Sequence, residues 1–300
     1  MPRVAASSAD GGLIDARGAA ARAAFGAVLD DCLAQINQHA AGLGVADATQ
    51  RAVHVHQLRV GIRRLRSALR SFRGWAPMPP DALVAGLRSL FGMLGQARDS
   101  TVLDSGVVAE LRLAGGPTLA LPQAAPGPDL ATVATAPRTR QALLAWASWR
   151  AALHAAPDDG PPGPALRRSA RKRLQTWHAR IAADWAAFDS LDEAALHALR
   201  KRIKRQRYAT EFFAPWLRRR QVARYLRALS TLQDCMGRLN DLFVARARYQ
   251  ALLATDATAW FALGWLAARI AEARARARPA LRRLCRIDPP GAARHRVSGV

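Results

Sequence analysis

The segment HQLRVGIRRLRSALRSFRGW, residues 56–75, recurs later in the chain as HALRKRIKRQRYATEFFAPW, residues 197–216. Matching residues lie at a constant offset of 141, the difference between positions 56 and 197. Histidine, leucine, isoleucine, arginine and tryptophan all recur: His56 and His197, Leu58 and Leu199, Arg59 and Arg200, Ile62 and Ile203, Arg64 and Arg205, Arg66 and Arg207, Trp75 and Trp216. Chance does not readily produce so many matches at one offset, so we infer an internal duplication.

The first copy has the pattern of an amphipathic helix with a basic face. At about 100° per residue, its histidine and four arginines fall within one arc of roughly 80°: His56, Arg59, Arg63, Arg66 and Arg70. Apolar residues occupy the opposite arc: Leu58, Ile62, Leu65, Leu69 and Phe72. The spacing therefore predicts one buried face and one face that carries a row of positive charges.

The second copy repeats this arrangement, with basic residues in the same arc: His197, Arg200, Lys204 and Arg207. Its apolar arc holds Leu199, Ile203 and Phe213. The pair Arg64 and Arg205 lies about 80° from the centre of the basic arc and is a secondary candidate. Further secondary candidates share one face of a later helical run: Arg167, Arg171 and His178.

The charge balance indicates a polyanionic partner. The chain has 45 basic and 22 acidic residues, a formal net charge of +23, and only three of its basic residues are lysines. So large an excess destabilises a compact chain by self-repulsion unless an anion lies among the charges. The planar guanidinium group of arginine suits bidentate contacts with phosphate oxygens.

The helical pattern predicts an all-α protein, because no run of alternating β-branched residues appears. Eight helical runs fall into two sets of four, and the third of them covers residues 82–113. We expect two four-helix bundles, related by a pseudo-twofold axis, that form one domain with a basic central channel. The expected boundaries are a disordered lead at 1–15, a first half at 16–156, a linker at 157–164, a second half at 165–288 and a disordered basic tail at 289–300.

Aspartates are expected at helix starts and beside the basic faces. Asp47 and Asp192 precede the two repeated helices, where an acidic residue favours helix initiation. Asp99 and Asp241 follow the two copies at an offset of 142, the difference between their positions. We expect these two carboxylates to orient arginines of the basic faces.

Catalytic and cofactor motifs are absent from the sequence. It contains no GxxxxGK[ST], GxGxxG or HExxH pattern. The three cysteines, Cys32, Cys235 and Cys285, are widely separated, which favours a reducing cytoplasm over a disulfide framework or a zinc site. No apolar run has the length of a membrane span. We predict no catalytic residue, no metal site and no cofactor.

The repeated segments, each followed by a helix that ends in GQARD or GRLND, closely resemble the CHAD domain, the conserved-histidine α-helical domain. The likeness covers residues 16 to 288. It implies two four-helix bundles around a basic channel that binds inorganic polyphosphate, with association with polyphosphate granules in bacterial cells. By this likeness the binding residues are His56, Arg59, Arg63, Arg66, His197, Arg200, Lys204 and Arg207. Family members are often joined to an amino-terminal CYTH triphosphatase module, for which this chain has no room.

The resulting functional hypothesis is a non-enzymatic protein that binds polyphosphate and targets or organises granules. Phosphate or sulfate ions are expected to fit the same residues. Nucleic-acid binding is the first alternative and rests on net charge alone; a phosphate-chain hydrolase is the second. The two histidines remain open between phosphate contact, a structural hydrogen bond and metal ligation. The oligomeric state, including a homodimer, and the preferred chain length also stay open.

Overall fold

The computed structural model describes residues 9–96, 106–117, 129–155 and 164–291. Ten α-helices are described in these ranges: α1 Ala9–Leu43, α2 Ala48–Phe72, α3 Asp81–Gln96, α4 Val107–Leu113, α5 Leu130–Thr135, α6 Pro137–His154, α7 Pro164–Ala186, α8 Glu193–Phe213, α9 Arg219–Leu252 and α10 Ala259–Cys285. Short 3₁₀ turns follow α7 and α8. The described residues form no strand, so the predicted all-α class is confirmed. None of the described helices is long and apolar enough to cross a membrane.

The aspartates predicted to start the repeated helices act as N-caps. The Asp47 carboxylate accepts a hydrogen bond from the Gln50 backbone N–H at 2.8 Å. At the second copy, the Asp192 carboxylate accepts from the Ala195 backbone N–H at 2.7 Å. Each cap satisfies one of the backbone N–H groups that a helix leaves without an intrahelical partner.

The structure differs from the predicted boundaries of the helices and of the tail in three places. Helix α1 begins at Ala9, so part of the predicted disordered lead is helical. The predicted third run ends as α3 at Gln96, and α4 is a separate helix further along the chain. Pro289 and Pro290 are buried at the start of the predicted tail, while residues 292–300 and most of the predicted linker lie outside the described residues.

The first of two compact units contains residues 1–94 and 129–170. The apolar face of α2 packs on α1, and its leucines, isoleucine and phenylalanine are buried as predicted: Leu58, Ile62, Leu65, Leu69 and Phe72. Gly61 permits a close approach of these two helices, because an added Cβ would lie 2.9 Å from Ile36 Cγ1. The rings of Phe25 on α1 and Phe72 on α2 have centroids 5.2 Å apart.

The second unit contains residues 95–128 and 171–300. Its core forms mainly between α9 and α10, with α8 packed against α9. Helix α4 also belongs here, because Val107 and Leu111 are buried in this core and Glu110 forms an ion pair with Arg238 of α9. The sequence had assigned α4 to the first half, at residues 16–156. The pseudo-twofold arrangement of two bundles and the central channel stay predictions.

Candidate functional site

Helix α2 presents the basic face predicted from its spacing. We use "α2 basic face" for His56, Arg59, Arg63, Arg66 and Arg70. The first four side chains are partly buried and Arg70 is exposed. Their apolar antipode is buried against α1, which holds the polar side of the helix away from the core. Residues three or four positions apart on a helix are about 5–6 Å apart at Cβ, so this row can contact one extended anion.

Arg59 is anchored to the end of another helix. Its Nη1 donates a hydrogen bond of 2.8 Å to the Leu94 carbonyl oxygen. Leu94 lies in the last turn of α3, where carbonyl groups lack intrahelical partners and the helix dipole favours a cation. Arg59 therefore stabilises α3 in addition to any ligand contact. The Nε of Arg63 is also buried and has no hydrogen-bond acceptor among the described residues.

Arg66 lies in a small basic pocket at the end of the α2 basic face. The pocket has a volume of about 270 Å³ and is lined by arginines of α2, α3 and the turn between them: Arg66, Arg70, Arg73 and Arg88. Asp81 also lines it. Partial burial and the positive charges of Arg70 and Arg88 lower the pKa of Arg66. The concentration of like charge makes this pocket a favourable place for an anion.

Helix α8 presents the second basic face. We use "α8 basic face" for His197, Arg200, Lys204 and Arg207. His197 is exposed, and its Nδ1 lies 3.0 Å from the side-chain oxygen of Asn240 on α9. Because an amide oxygen only accepts, His197 Nδ1 carries the hydrogen. His197 and Arg200 line a pocket of about 490 Å³ whose floor is mainly apolar.

Asp241 contacts Asn240, the residue that lies against His197 of the α8 basic face. Its carboxylate accepts a 3.5 Å hydrogen bond from Asn240 Nδ2, and no described arginine forms an ion pair with it. The contacts of Asn240 with both Asp241 and His197 concern no arginine, so the orienting role of Asp241 stays a prediction. Sequence reasoning missed the role of Asn240, although it stands next to Asp241. Asp99 lies outside the described residues.

Arg207 has a carboxylate partner on its own helix. Its Nε donates to Glu211 Oε1 at 2.9 Å, and its Nη1 donates to Gln233 Oε1 at 3.3 Å. Partial burial opposes the charge of Arg207, but the hydrogen bond and negative charge of Glu211 raise its pKa. At the offset of 141, Glu211 occupies the position of Arg70. The two basic faces are therefore unequal, because one ends in a cation and the other in an acid.

Arg64 and Arg205 make contacts away from the basic faces. Burial raises the pKa of the Cys32 thiol on α1 to about 11, and Arg64, which hydrogen-bonds that thiol, opposes the rise. The guanidinium of Arg205 lies over the Trp177 ring of α7, 5.6 Å from its centroid. Each side chain thus contacts a neighbouring helix, in agreement with its offset from the basic arc.

His178 does not extend the basic surface, contrary to the prediction. Its Nδ1 lies 2.8 Å from the Tyr225 hydroxyl, which also accepts a 2.9 Å hydrogen bond from Gln206 Nε2. Gln206 is fully buried and also donates to the Leu174 carbonyl at 3.0 Å. Burial lowers the pKa of His178, which favours its neutral form. This polar network lies on the buried side of α8.

The other two α7 candidates have different surroundings. Arg167 is exposed, whereas Arg171 is partly buried and packs on Gly291. A Cβ at Gly291 would lie 2.4 Å from Arg171 Cγ, and the φ of this glycine is 87°. Arg171 is therefore held by the chain that follows α10. Among the described residues, no group of three or more His, Cys, Asp or Glu side chains could hold a metal ion.

Comparisons with known proteins agree on one family. The family model of the CHAD domain matches residues 27–250. Among solved structures, the crystal structure of the CHAD domain from the plant Ricinus communis is similar, with a TM-score of 0.67 and 30% sequence identity. The match covers 90% of this chain and 94% of the plant chain. No curated protein matched the chain.

Proposed function

Because the chain belongs to the CHAD domain family, we propose that it binds inorganic polyphosphate through the α2 and α8 basic faces. The observation that carries this proposal is the duplicated helix, whose cations stand opposite a buried apolar side in both copies. The cost of burying charge keeps this face out of the core, where its cations remain available to a ligand. The net charge of +23 supports a polyanionic ligand.

The side chains of the α2 basic face suit an anion with repeated phosphate groups. Arginine forks bind two oxygens at once, and neighbouring phosphates in a chain can engage successive helical turns. The Nε of Arg63, which is buried without an acceptor among the described residues, is one donor that a phosphate oxygen would satisfy. His56, about two turns earlier on the same face, supplies a ring nitrogen to the same row.

On the α8 basic face, His197 offers the ring nitrogen that does not face Asn240. The hydrogen bond to Asn240 fixes the tautomer, so Nε2 carries a hydrogen only in the charged form of the ring. In that form the Nε2–H can donate to a phosphate oxygen.

We also propose a binding role in place of a catalytic one, with the protein placed at polyphosphate granules in the cytoplasm. The basic faces offer charge neutralisation and hydrogen-bond donors, which are the requirements of a binding surface. This role is checked by incubating the protein with long-chain polyphosphate and Mg²⁺ or Mn²⁺. Phosphate release at a rate proportional to protein concentration would contradict it.

Competition between two polyanions tests the ligand class. Labelled long-chain polyphosphate is bound in a gel-shift assay, and duplex DNA or unlabelled polyphosphate is added at equal phosphate concentration. We expect unlabelled polyphosphate to displace the label and duplex DNA to displace little of it. Each basic face is a single row of cations along one helix, and such a row suits one extended chain of phosphates. Equal displacement by DNA would contradict the proposal and favour a nucleic-acid-binding protein.

Replacement of Glu211 tests the inequality of the two faces. Glu211→Gln keeps a hydrogen-bonding side chain beside Arg207 but removes the negative charge that competes with phosphate. We expect polyphosphate to bind several-fold more tightly to this variant. The salt dependence of binding should also steepen, since each additional phosphate contact adds about 0.9 to the logarithmic slope on nucleic acid. Fluorescence titration at several salt concentrations measures both quantities.

Asp189→Asn is the matched control for Glu211→Gln. It also removes one negative charge and one arginine partner, because Asp189 pairs with Arg278 at 3.1 Å. That pair involves no residue of the α8 basic face, so its loss should leave affinity nearly unchanged. If both variants strengthened binding equally, net charge alone would explain the effect and Arg207 would have no special part.

A further inference from the structure

A second basic pocket lies between α9 and α10, apart from both basic faces. It has a volume of about 520 Å³ and is lined by five arginines: Arg224, Arg227, Arg282, Arg283 and Arg286. Ala228 and Ile287, both buried, form part of its floor, together with Pro279 and Thr231. Among the described residues, no carboxylate lines it. We call it the α9–α10 pocket.

The arginines of this pocket lack the acidic partners that other arginines on the same two helices have. Carboxylates pair with arginines elsewhere on α9 and α10: Arg238 with Glu110, Arg246 with Glu193, Arg269 and Arg276 with Glu272, and Arg278 with Asp189. Within the described residues, none of the five pocket arginines forms an ion pair. The pocket therefore holds five like charges that no described side chain neutralises.

Helix stabilisation explains only part of this cluster. Arg282 and Arg283 lie in the last turn of α10, where cations interact favourably with the helix dipole. Arg224 and Arg227 lie in the first three turns of α9, and no acidic residue stands in its first turn. Cations near a helix start gain nothing from the dipole. Their position facing three further arginines is therefore unfavourable unless an anion is present.

The spacing of the arginines places them on the two walls of one concave site. Arg224, Arg227 and Thr231 share a face of α9, whereas Pro279, Arg282 and Arg286 share a face of α10. The volume lies within the roughly 300–1,000 Å³ typical of small-molecule sites. All five arginines are exposed enough for a solute to reach them.

We propose that the α9–α10 pocket binds a short chain of phosphate groups, either free or as the triphosphate of a nucleotide. Guanidinium groups on both walls can each hold two phosphate oxygens, so several phosphates are engaged together. A concave site of this size favours a compact anion over an extended polymer. This site is additional to the two basic faces and does not depend on their proposed function.

The test is calorimetric titration of the full chain with tripolyphosphate and, separately, with ATP. Four proteins are compared: wild type, the pocket variant R224Q/R227Q, the basic-face variant R63Q/K204Q and the exposed control pair R140Q/R168Q. We expect the basic-face variant to keep one tripolyphosphate site per chain, and the pocket variant to lose that site. Each arginine that contacts phosphate should contribute about tenfold in affinity, so the two substitutions should weaken pocket binding about 100-fold.

Comparison of the two ligands, tripolyphosphate and ATP, identifies the source of the phosphate chain. Binding of ATP to the pocket within a few-fold of tripolyphosphate indicates that the phosphate chain alone is recognised. Much tighter binding of ATP indicates a nucleotide, and binding of tripolyphosphate alone indicates a free chain. All three results support the proposal when R224Q/R227Q removes the binding and the exposed control pair R140Q/R168Q does not.

Failure of this inference is distinguishable from failure of the polyphosphate proposal. If R224Q/R227Q bound both ligands with wild-type stoichiometry and affinity, the pocket proposal would be overturned whatever the basic faces do. If R63Q/K204Q behaved like wild type with long-chain polyphosphate, the basic-face proposal would fail and the pocket would stand. Thermal unfolding without ligand checks integrity, because the pocket variant loses two unpaired like charges and should be at least as stable as wild type.

Discussion

Charge reversal at Arg63 and Lys204 together is expected to weaken binding of long-chain polyphosphate by a factor of about 100 or more. These residues occupy equivalent positions on the two basic faces. Each substitution removes a charge-assisted hydrogen bond, typically about 1.5–3 kcal/mol, and adds repulsion. Arg63 is preferable to Arg59 for this purpose, because Arg59 also binds the end of α3. Titration of R63E/K204E at several salt concentrations measures the affinity and its salt dependence. We expect the salt slope to be lower than that of the wild type.

The control for this variant is R140E/R168E, which changes the net charge equally. Arg140 and Arg168 are exposed, lie outside both basic faces and stand near helix starts, where glutamate is tolerated. We expect the control to lose affinity only through reduced long-range attraction, by a few-fold at low salt. If the two double variants lost affinity equally, binding would depend on total charge and the basic faces would not be a defined site.

Replacement of Phe72 by alanine is expected to lower the free energy of unfolding by about 3–5 kcal/mol. Phe72 is fully buried at the end of α2. Its ring packs on Phe25 and lies edge-on to Trp75 at a centroid separation of 6.4 Å. Alanine would leave a cavity between α1 and α2 where the basic-face helix is held in place. Urea denaturation of wild type and F72A measures the difference.

Phe261 provides the control for that substitution. It is half exposed at the start of α10, so F261A makes the same chemical change with little loss of buried surface. We expect its effect to stay within about 0.5 kcal/mol. Comparable destabilisation by the two substitutions would mean that the packing around Phe72 adds little to the free energy of unfolding. F72L should fall between them, because leucine refills part of the cavity.

Periodicity in the sequence was sufficient to predict the two repeated helices. Their apolar arcs are buried, and Asp47 and Asp192 cap them. These features depend on residues close in sequence, for which a helix fixes the geometry in advance. The offset of Arg64 and Arg205 from the basic arc likewise agreed with their contacts to α1 and α7.

Contacts between distant residues were beyond reach from the sequence. His178 has the spacing of a basic-face residue, yet its ring contacts Tyr225, which in turn contacts Gln206. Which side of α7 is buried depends on the helices that pack against it, and their residues are distant in sequence. Gln206 occupies the position of the buried Leu65 in the first copy. Comparison of the two copies of the repeat does not indicate that a glutamine at this position would lie in one hydrogen-bonded network with a tyrosine and a histidine. The α9–α10 pocket arises in the same way, from two helices that sequence inspection treats separately.

The path of the chain has a consequence for how this protein can be divided. Helix α4 is encoded before the midpoint but fills the core that α9 and α10 build after it. A fragment cut in the region of residues 157–163 would therefore leave Leu111 and Glu110 on the wrong piece. The two compact units therefore do not coincide with the two halves of the sequence, although each half carries its own copy of the repeat. We therefore expect the second half, expressed alone, to lack the α4 part of its core.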